Sequence, residues 1–581
     1  MRKLLSGNEA LAQGAWEAGV RTAFGYPGTP STEILENLVK MPDVYCEWSP
    51  NEKVALESAA GAAIAGARSI VTMKHVGLNV AADPMMTLSY IGIRAGLVIV
   101  VADDPGQHSS QTEQDTRHYA RLAKLPVLEP GNAPECLRFM KRALDISEKY
   151  RCPVILRSTT CVSHSRFLTE TGERVVPEFA PFERNPQQFV PIPVWGRKLR
   201  VRIEDRMAEQ SAESSADPEL NTVFERPDAP FGIISSGVTA LHCLDVFPEA
   251  SILKIGWSWP FPDALLKKFA AAHRRIFVVE EADPILEEHV KSLGIAADGK
   301  NFVPRTGELV PERLAEARAA YLGLPLPEKK TCPETADLPT RPPMLCAGCP
   351  HRGIFYGLSK FDVIVAGDIG CYSLGVFPPL SRTDVLLCMG GGFTMAHGLN
   401  KGGEKRPVVG IVGDSTFFHS GITGLLNLVY NKGNATLIVV DNRTTAMTGH
   451  QDHPGTGRTL MGEATQCASI EAIARACGMK RVVTVDPNDL GEVHRVLTQE
   501  LAADEPSLII SRAPCILKEP PKDRKAVRID GTCKNCKACL KLGCPAIENP
   551  DKGAKPQVNA GMCVGCGQCL SVCRFGAIRI S

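Results

Sequence analysis

Val408-Val409-Gly410-Ile411-Val412-Gly413-Asp414-Ser415 is an apolar run of strand length that stops at a polar turn, and the same pattern returns at Thr436-Leu437-Ile438-Val439-Val440-Asp441-Asn442. Between Asp414 and Asn442 lie 27 residues, including a helical stretch at 419–430. That is the length of a strand–helix–strand crossover, so the two strands are expected to lie parallel in one sheet. Asp414 and Asn442 then stand at the carboxyl ends of adjacent strands, where such sheets bind ligands. A hard divalent cation takes oxygen ligands, and Asp414, Asn442 and the carbonyl of Thr444 supply such a set. A Gly-Asp-Ser turn alone is equally a surface turn; its distance from Asn442 and the strand context favour the metal site.

Around this pair the reading extends to a third α/β segment at 345–515, with further strands at 362–366, 384–388, 481–485 and 507–512. Its glycine-rich turn, Gly390-Gly391-Gly392-Phe393, opens a helix. Bare backbone at Gly391 and Gly392 can approach a phosphate group; close helix–strand packing is the other reading. A first α/β segment covers 1–165, with strands at 44–48, 69–74, 97–103, 127–129 and 153–157 and helices at 8–19, 32–39 and 52–67. Residues 166–229, polar and rich in Pro, Glu and Ser, read mostly as a connector with one helix near 204–212. A second α/β segment spans 230–324, and a proline-rich linker follows (Pro325, Pro327, Pro333, Pro339, Pro342, Pro343). The third domain is bounded at 340–517, and a charged linker at 518–528 leads to a small module at 526–581. Strands alternating with helices predict parallel sheets.

Composition narrows the class. Lys plus Arg number 65 and Asp plus Glu 64 in 581 residues, a net charge of +1. A nucleic-acid or membrane-surface binder would show a basic excess, so neither partner is expected. The most apolar run, 95–102, is too short to span a bilayer. Residues 1–20 lack the apolar core and cleavage site of a signal peptide. The chain is therefore expected in the cytoplasm. Cysteine stands out: there are 21, eight of them between Cys533 and Cys573. In a large chain without a secretory signal, ligation is a better reading than disulfides.

The eight form two runs, Cys533-x2-Cys536-x2-Cys539-x4-Cys544-Pro545 and Cys563-x2-Cys566-x2-Cys569-x3-Cys573. A cubane 4Fe–4S cluster needs four thiolates; three come from one tight loop and the fourth from the other run. One cluster is assigned to Cys533, Cys536, Cys539 and Cys573, the other to Cys563, Cys566, Cys569 and Cys544. The module resembles bacterial two-cluster ferredoxins, with two departures: four residues rather than three precede Cys544, and Arg574 stands where proline is usual. Paired zinc sites would favour two separated Cys pairs over three in a row.

Near the amino end, Trp48-Ser49-Pro50-Asn51-Glu52-Lys53-Val54 places a carboxylate at a strand-to-helix junction, ahead of an Ala/Gly-rich helix. A glutamate there is favourable with the helix dipole on any reading, and Glu57 one turn later competes for any role given to Glu52.

Here the chain resembles the 2-oxoacid:ferredoxin oxidoreductases. The likeness is carried by Gly25-Tyr26-Pro27-Gly28-Thr29-Pro30, Asn51-Glu52-Lys53, Lys74-His75-Val76-Gly77-Leu78-Asn79, Cys346-Ala347-Gly348-Cys349-Pro350-His351-Arg352 and Thr448-Gly449-His450-Gln451. The Asp414…Asn442 pair resembles the thiamine-diphosphate signature, with Ser415 in place of its second glycine and Asp441 in place of its first Asn. The resemblance implies an α/β chain of two thiamine-diphosphate-binding doubly wound parallel-sheet domains (pyrimidine 1–165, diphosphate and Mg2+ 340–517). To these it adds a transketolase C-terminal-like α/β domain and a C-terminal two-cluster ferredoxin-like α+β module. It casts Glu52 as the acid that activates the pyrimidine ring, Gly28 and Thr29 as lining the substrate side, Gly413 and Ser415 as flanking the diphosphate site, and His75 as a substrate or acid–base contact in a loop. A plain loop histidine is the alternative for His75. Cys346-x2-Cys349 alone reads as a redox dithiol, half a zinc site or half a cluster; by resemblance, Cys346, Cys349, Cys371 and Cys515 are the ligands of a third 4Fe–4S cluster, and buried free thiols are the alternative.

The family implies oxidative decarboxylation of arylpyruvates to acyl-CoA and CO2 with reduction of ferredoxin. It also implies a smaller gamma-like partner subunit and a dimer of heterodimers. Another 2-oxoacid range, a non-oxidative thiamine decarboxylase, and an electron-transfer subunit with a dead thiamine site are the alternatives.

Overall fold

The computed structural model describes residues 1–179, 182, 184–328, 342–522, 525–551 and 553–580. Pro333 and Pro339 of the proline-rich linker, the expected boundary at 340, and residues 523–524 of the charged linker lie outside them. The chain divides into two compact units, 1–332 and 333–581.

In the first unit a seven-stranded sheet is built on the runs read above together with Thr22–Gly25, a strand the sequence reading did not include. Thr22–Gly25, Tyr45–Trp48, Ser69–Lys74, Leu97–Asp103, Val127–Leu128 and Val154–Thr159 all run parallel. Numbered along the chain, these six lie in the spatial order second, first, third, fourth, sixth, fifth. Leu97–Asp103 is buried at every position, as a strand covered by helices on both faces must be. The helix Glu52–Ala65 begins where Asn51 accepts the amide of Val54 at 2.9 Å and ends at Gly66, φ +105°. The cap and the left-handed glycine stop are standard devices for the unpaired ends of a helix.

The second α/β segment forms its own five-stranded sheet but is not separate from the first. Its strand Trp257–Trp259 pairs antiparallel with Val127–Leu128 and becomes the outer strand of the seven-stranded sheet. A buried ion pair also joins the two, Arg117 to Glu280 at 2.8 Å, and it belongs to a network within the first segment in which Arg117 bonds Asp115 at 2.6 Å and Arg157 bonds Asp103 at 2.6 Å and Glu129 at 2.7 Å. Removing one member of such a network leaves an unpaired buried charge, at a cost of about 3–5 kcal/mol.

The stretch 166–229, expected mostly as a connector, is more structured than that. Arg166–Glu170 pairs with Arg2–Ser6, Asn221–Phe224 pairs with Ser251–Ile255, and one helix runs from Pro193 to Ala216. That helix buries only Leu199, Ile203, Gln210 and Ser214. A helix that docks through so few apolar residues keeps a polar composition, which is why it read as a linker.

The second unit holds a five-stranded parallel sheet of Ile364–Ala366, Val408–Gly413, Thr436–Asp441, Arg481–Val485 and Ser507–Arg512. The strand expected at 384–388 is reduced to one parallel bridge between Val385 and Ala366. Leu386 and Leu387 are exposed there and bury nothing that would hold a longer strand. Counting that bridge as second, the spatial order is again second, first, third, fourth, sixth, fifth. The carboxyl-terminal module is two short antiparallel ribbons, Val527–Ile529 with Ile578–Ile580 and Ile547–Glu548 with Gln557–Val558, plus the short helical turns Ala538–Leu542 and Gln568–Val572. Among the described residues no helix is long and apolar enough to cross a membrane.

Candidate functional site

In the first unit the edge at the carboxyl ends of the strands gathers Glu52, Lys74, Gly77 and the Gly28–Thr29 turn. Glu52 is buried and Glu57 is exposed and ion-paired with Lys53, so the competitor faces away. The Glu52 carboxyl lies flat on Gly77: a Cβ there would stand 2.5 Å from Oε1. Lys74 crosses Gly28, whose added Cβ would meet its Cγ and Cδ at 3.3 Å, and donates to the Ser109 carbonyl at 3.0 Å. Burial lowers the Lys74 pKa, against the opposing pull of Asp104 and Glu52. Thr29 precedes a cis Pro30, and its carbonyl accepts from the Ser109 hydroxyl at 3.3 Å. His75 does not sit in a loop. It opens the helix His75–Val80, is 1% exposed, and contacts the Thr112 carbonyl through Nε2 at 3.0 Å; its Nδ1 has no partner among the described residues.

In the second unit Asp414, Asn442 and Thr444 meet. The Thr444 amide donates to Asp414 Oδ2 at 3.1 Å and to Asn442 Oδ1 at 3.3 Å. Two side-chain oxygens thus converge beside the Thr444 backbone, the donor chemistry that Mg2+ takes. Ser415 N caps Asp414 Oδ1 at 2.9 Å, and the Ser415 hydroxyl accepts from Thr445 at 3.0 Å. Three neighbours were given no role at this site from sequence. His453 Nε2 lies 3.0 Å from Asp414 Oδ2; burial pushes that carboxyl up, but His453, the Ser415 amide and Asp441 together hold it below its ordinary range. Asp441 is pushed up by burial and by Asp414, while Arg512 at 2.6 Å pulls it back. His351 lies 3.3 Å from Asn442 Nδ2, and burial drives its pKa down to about 4, so it is neutral near pH 7. His351 lay within a quoted motif, but no pattern marked its reach to Asn442.

The glycine turn is used differently from a phosphate cradle. Gly390 N and Gly392 N donate to Asp368 at 3.0 and 2.8 Å, and Gly391 N donates to the Cys388 carbonyl at 2.9 Å. A Cβ on Gly392 would come within 2.4 Å of the Ile411 carbonyl. Close helix–strand packing is therefore what the geometry favours for Gly392, while Gly391 faces only the Leu387 and Cys388 side chains of the preceding loop. Asp368, fully buried, has its pKa raised by burial to about 6.

The cysteines fall into three sets. Cys533, Cys536, Cys539 and Cys573 line one cavity, and Cys544, Cys563, Cys566 and Cys569 line a second. Burial raises the Cys569 pKa to about 12, and Cys566, Cys544 and Cys563 add to the shift. In the third set burial raises Cys349 to about 12, helped by Cys371 and Cys346, and raises Cys371 to about 11, helped by Cys515 and Cys346. Ligation to a metal deprotonates a thiol outright. All are free thiols, and among the described residues no three His, Cys, Asp or Glu converge closely enough for a single ion. Four thiolates around a metal–sulfur core stand further apart than four around one ion.

Three family models match the chain: "Pyruvate flavodoxin/ferredoxin oxidoreductase, thiamine diP-bdg" over residues 13–202, "Thiamine pyrophosphate enzyme, C-terminal TPP binding domain" over 368–511, and "4Fe-4S binding domain" over 556–579. The chain is 42% identical to the indolepyruvate oxidoreductase subunit IorA of Methanothermobacter marburgensis, covering 100% of this chain and 97% of that one. It is 40% identical to the subunit of that name from Pyrococcus horikoshii (99% and 96% covered) and 38% identical to that of Archaeoglobus fulgidus (99% and 97% covered). A thiamine fold, a 4Fe–4S module and full-length identity at this level lead to one conclusion: the chain belongs to the thiamine-diphosphate-dependent 2-oxoacid:ferredoxin oxidoreductases.

Proposed function

We propose that this chain is the catalytic subunit of an arylpyruvate-oxidising enzyme. Indolepyruvate, phenylpyruvate or 4-hydroxyphenylpyruvate, with coenzyme A and two oxidised ferredoxins, gives the aryl-acetyl-CoA, CO2, two reduced ferredoxins and a proton. The observation that carries the substrate class is the likeness, over essentially the whole chain, to proteins named for indolepyruvate. Those relatives are named as subunits, which supports a partner subunit; the proposal casts that partner as a smaller gamma-like chain, in a dimer of heterodimers in the cytoplasm.

Bound thiamine diphosphate supplies the electron sink on which the bond to the carboxylate breaks. Glu52, buried on Gly77, would hydrogen-bond the pyrimidine ring. Asp414, Asn442 and the Thr444 carbonyl would hold Mg2+ against the diphosphate, with His453 and Ser415 fixing the Asp414 carboxylate and Gly413 leaving room beside it. Lys74, Gly28 and Thr29 would line the substrate side, and the unpartnered Nδ1 of His75 is free to meet it. Two 4Fe–4S clusters would sit in the two cysteine-lined cavities of the carboxyl-terminal module, and a third on Cys346, Cys349, Cys371 and Cys515.

The test is anaerobic turnover with the partner subunit present and a viologen as acceptor. Indolepyruvate and phenylpyruvate are expected to exceed pyruvate and 2-oxoglutarate by at least about tenfold in kcat/KM, the discrimination a shaped apolar pocket supplies. A preference for either small acid would sink the aryl assignment, and release of CO2 and aldehyde without viologen reduction would point to a non-oxidative decarboxylase. Iron in Cys371→Ser against the parent chain tests the third cluster, whose loss should remove a third of the iron.

A further inference from the structure

Arg352 stands in the first turn of the helix His351–Leu358, directly after the Cys346–Cys349 loop, and is 1% exposed. Its guanidinium spans two cysteine sets. Nη2 donates to the carbonyls of Leu345 at 2.7 Å and Cys346 at 2.8 Å, while Nη1 donates to the carbonyls of Leu542 at 3.1 Å and Gly543. Gly543 directly precedes Cys544, a member of the second set. Only a planar fork with several fixed donors can make both pairs of bonds at once.

The remaining donor, Nε, is buried and has no partner among the described residues. A buried N–H left unmatched carries its full desolvation penalty, and native proteins keep few such groups without an ion or water opposite them. The guanidinium is also near enough to Cys349 and Cys566 for its charge to act on both thiols. The two sets are pressed together by backbone as well. Gly348, φ +73°, would place a Cβ 2.2 Å from Val564 Cγ2, and Gln568 donates to the Cys349 carbonyl at 3.3 Å.

Resting on the reading that Cys346, Cys349, Cys371 and Cys515 hold a cluster, we propose that Arg352 is a fixed cation between two electron carriers: it clamps the Cys346 loop to the Cys544 loop, gives its Nε–H to a sulfur of one cluster, and raises the reduction potential of both. Reduction adds negative charge to a cluster, and a buried positive charge favours that state. Arg352 is thus a positioning residue on the electron path.

The experiment is a redox titration, followed by electron paramagnetic resonance, of anaerobic holoenzyme with its partner subunit, comparing the parent with Arg352→Met and Arg352→Lys. Arg352→Met should move two midpoint potentials to more negative values and leave unchanged the cluster assigned to Cys533, Cys536, Cys539 and Cys573. Arg352→Lys should restore most of the shift. Unchanged potentials, or an equal shift in all clusters, overturn the proposal. Iron content separates the underlying reading: parent enzyme with only two clusters' worth of iron removes the third cluster itself, and the inference with it. Should Arg352→Met fail to assemble, parent enzyme carrying isotope-labelled guanidino nitrogen decides. A hyperfine coupling to a reduced cluster that vanishes in Arg352→Lys supports the role, and no coupling overturns it.

Discussion

Two parallel sheets in this chain share one strand order, yet their ligand edges carry opposite chemistry. In the seven-stranded sheet the second strand leads into Glu52, and the third leads through Lys74 to His75. In the five-stranded sheet the third strand leads into Asp414 and the fourth into Asn442. Each sheet reverses its order between its first and third strands, and that reversal opens a crevice whatever residues line it. Topology thus decides where a ligand binds, and the few residues just past the strand ends decide which. One edge holds a carboxyl flattened on a bare glycine beside a half-buried lysine. The other holds a carboxylate tied by an amide, an imidazole and a neighbouring acid.

The largest expected effect separates the two edges directly. Glu52→Gln and Asp414→Asn should each lower CoA-dependent 2-oxoacid oxidation by about 10²–10⁴-fold, the range of a positioned acid–base group. Asp414→Asn should also lose thiamine diphosphate, assayed after denaturation, whereas Glu52→Gln should retain it; cluster spectra should persist in both. Full activity in Glu52→Gln would remove that residue from the assignment. A subtler break is Gly77→Ala. Its methyl would stand 2.5 Å from Glu52 Oε1, and displacing a catalytic group by about 1 Å costs on the order of 10²-fold. Turnover should fall while thiamine retention stays at the parent level; unimpaired turnover would mean the Glu52–Gly77 contact does not matter.

On the other edge, Asp368 offers a pH test. Burial raises its pKa from 3.8 to about 6. A group that holds its proton more tightly when folded adds stability below its unfolded pKa and loses it as pH rises through its folded value. Asp368→Asn lacks that titration. From pH 4 to pH 7 the difference in unfolding free energy should therefore move toward the variant by no more than about 3 kcal/mol. Denaturant unfolding of apoprotein measures it, and a flat difference would contradict the raised pKa. The smallest effect is expected at the helix that presents Glu52. Asn51→Ala removes the cap on Val54 N, for about 1 kcal/mol, and should lower the melting temperature by a few degrees with the clusters unaffected.

Much of this was legible from residue order. The strands Ser69–Lys74, Leu97–Asp103, Thr436–Asp441, Arg481–Val485 and Ser507–Arg512 have the bounds read from sequence; all but the edge strand Arg481–Val485 are buried along nearly their whole length, which keeps their centres apolar. The partly polar helix at Pro193–Ala216 was mostly missed, because it is held by only a few buried positions. The strand expected at 384–388 failed for the converse reason: apolar Leu386 and Leu387 found no sheet to bury them. His453 and Asp368 could not be singled out, since each reaches its partner across a loop that leaves no periodic trace.

Local order alone determined the cysteine spacings, the Asp-to-Asn crossover and the glutamate at a helix start, because each is set within one loop or one crossover. Tertiary structure decided what depends on distant segments meeting. It buried Glu52 and exposed Glu57, gave the glycine turn's amides to Asp368, and stretched Arg352 between two cysteine loops. The physical reason is that burial and hydrogen-bond partnership belong to the packed chain: a residue's charge state and its free donors are set by neighbours that sequence proximity does not name.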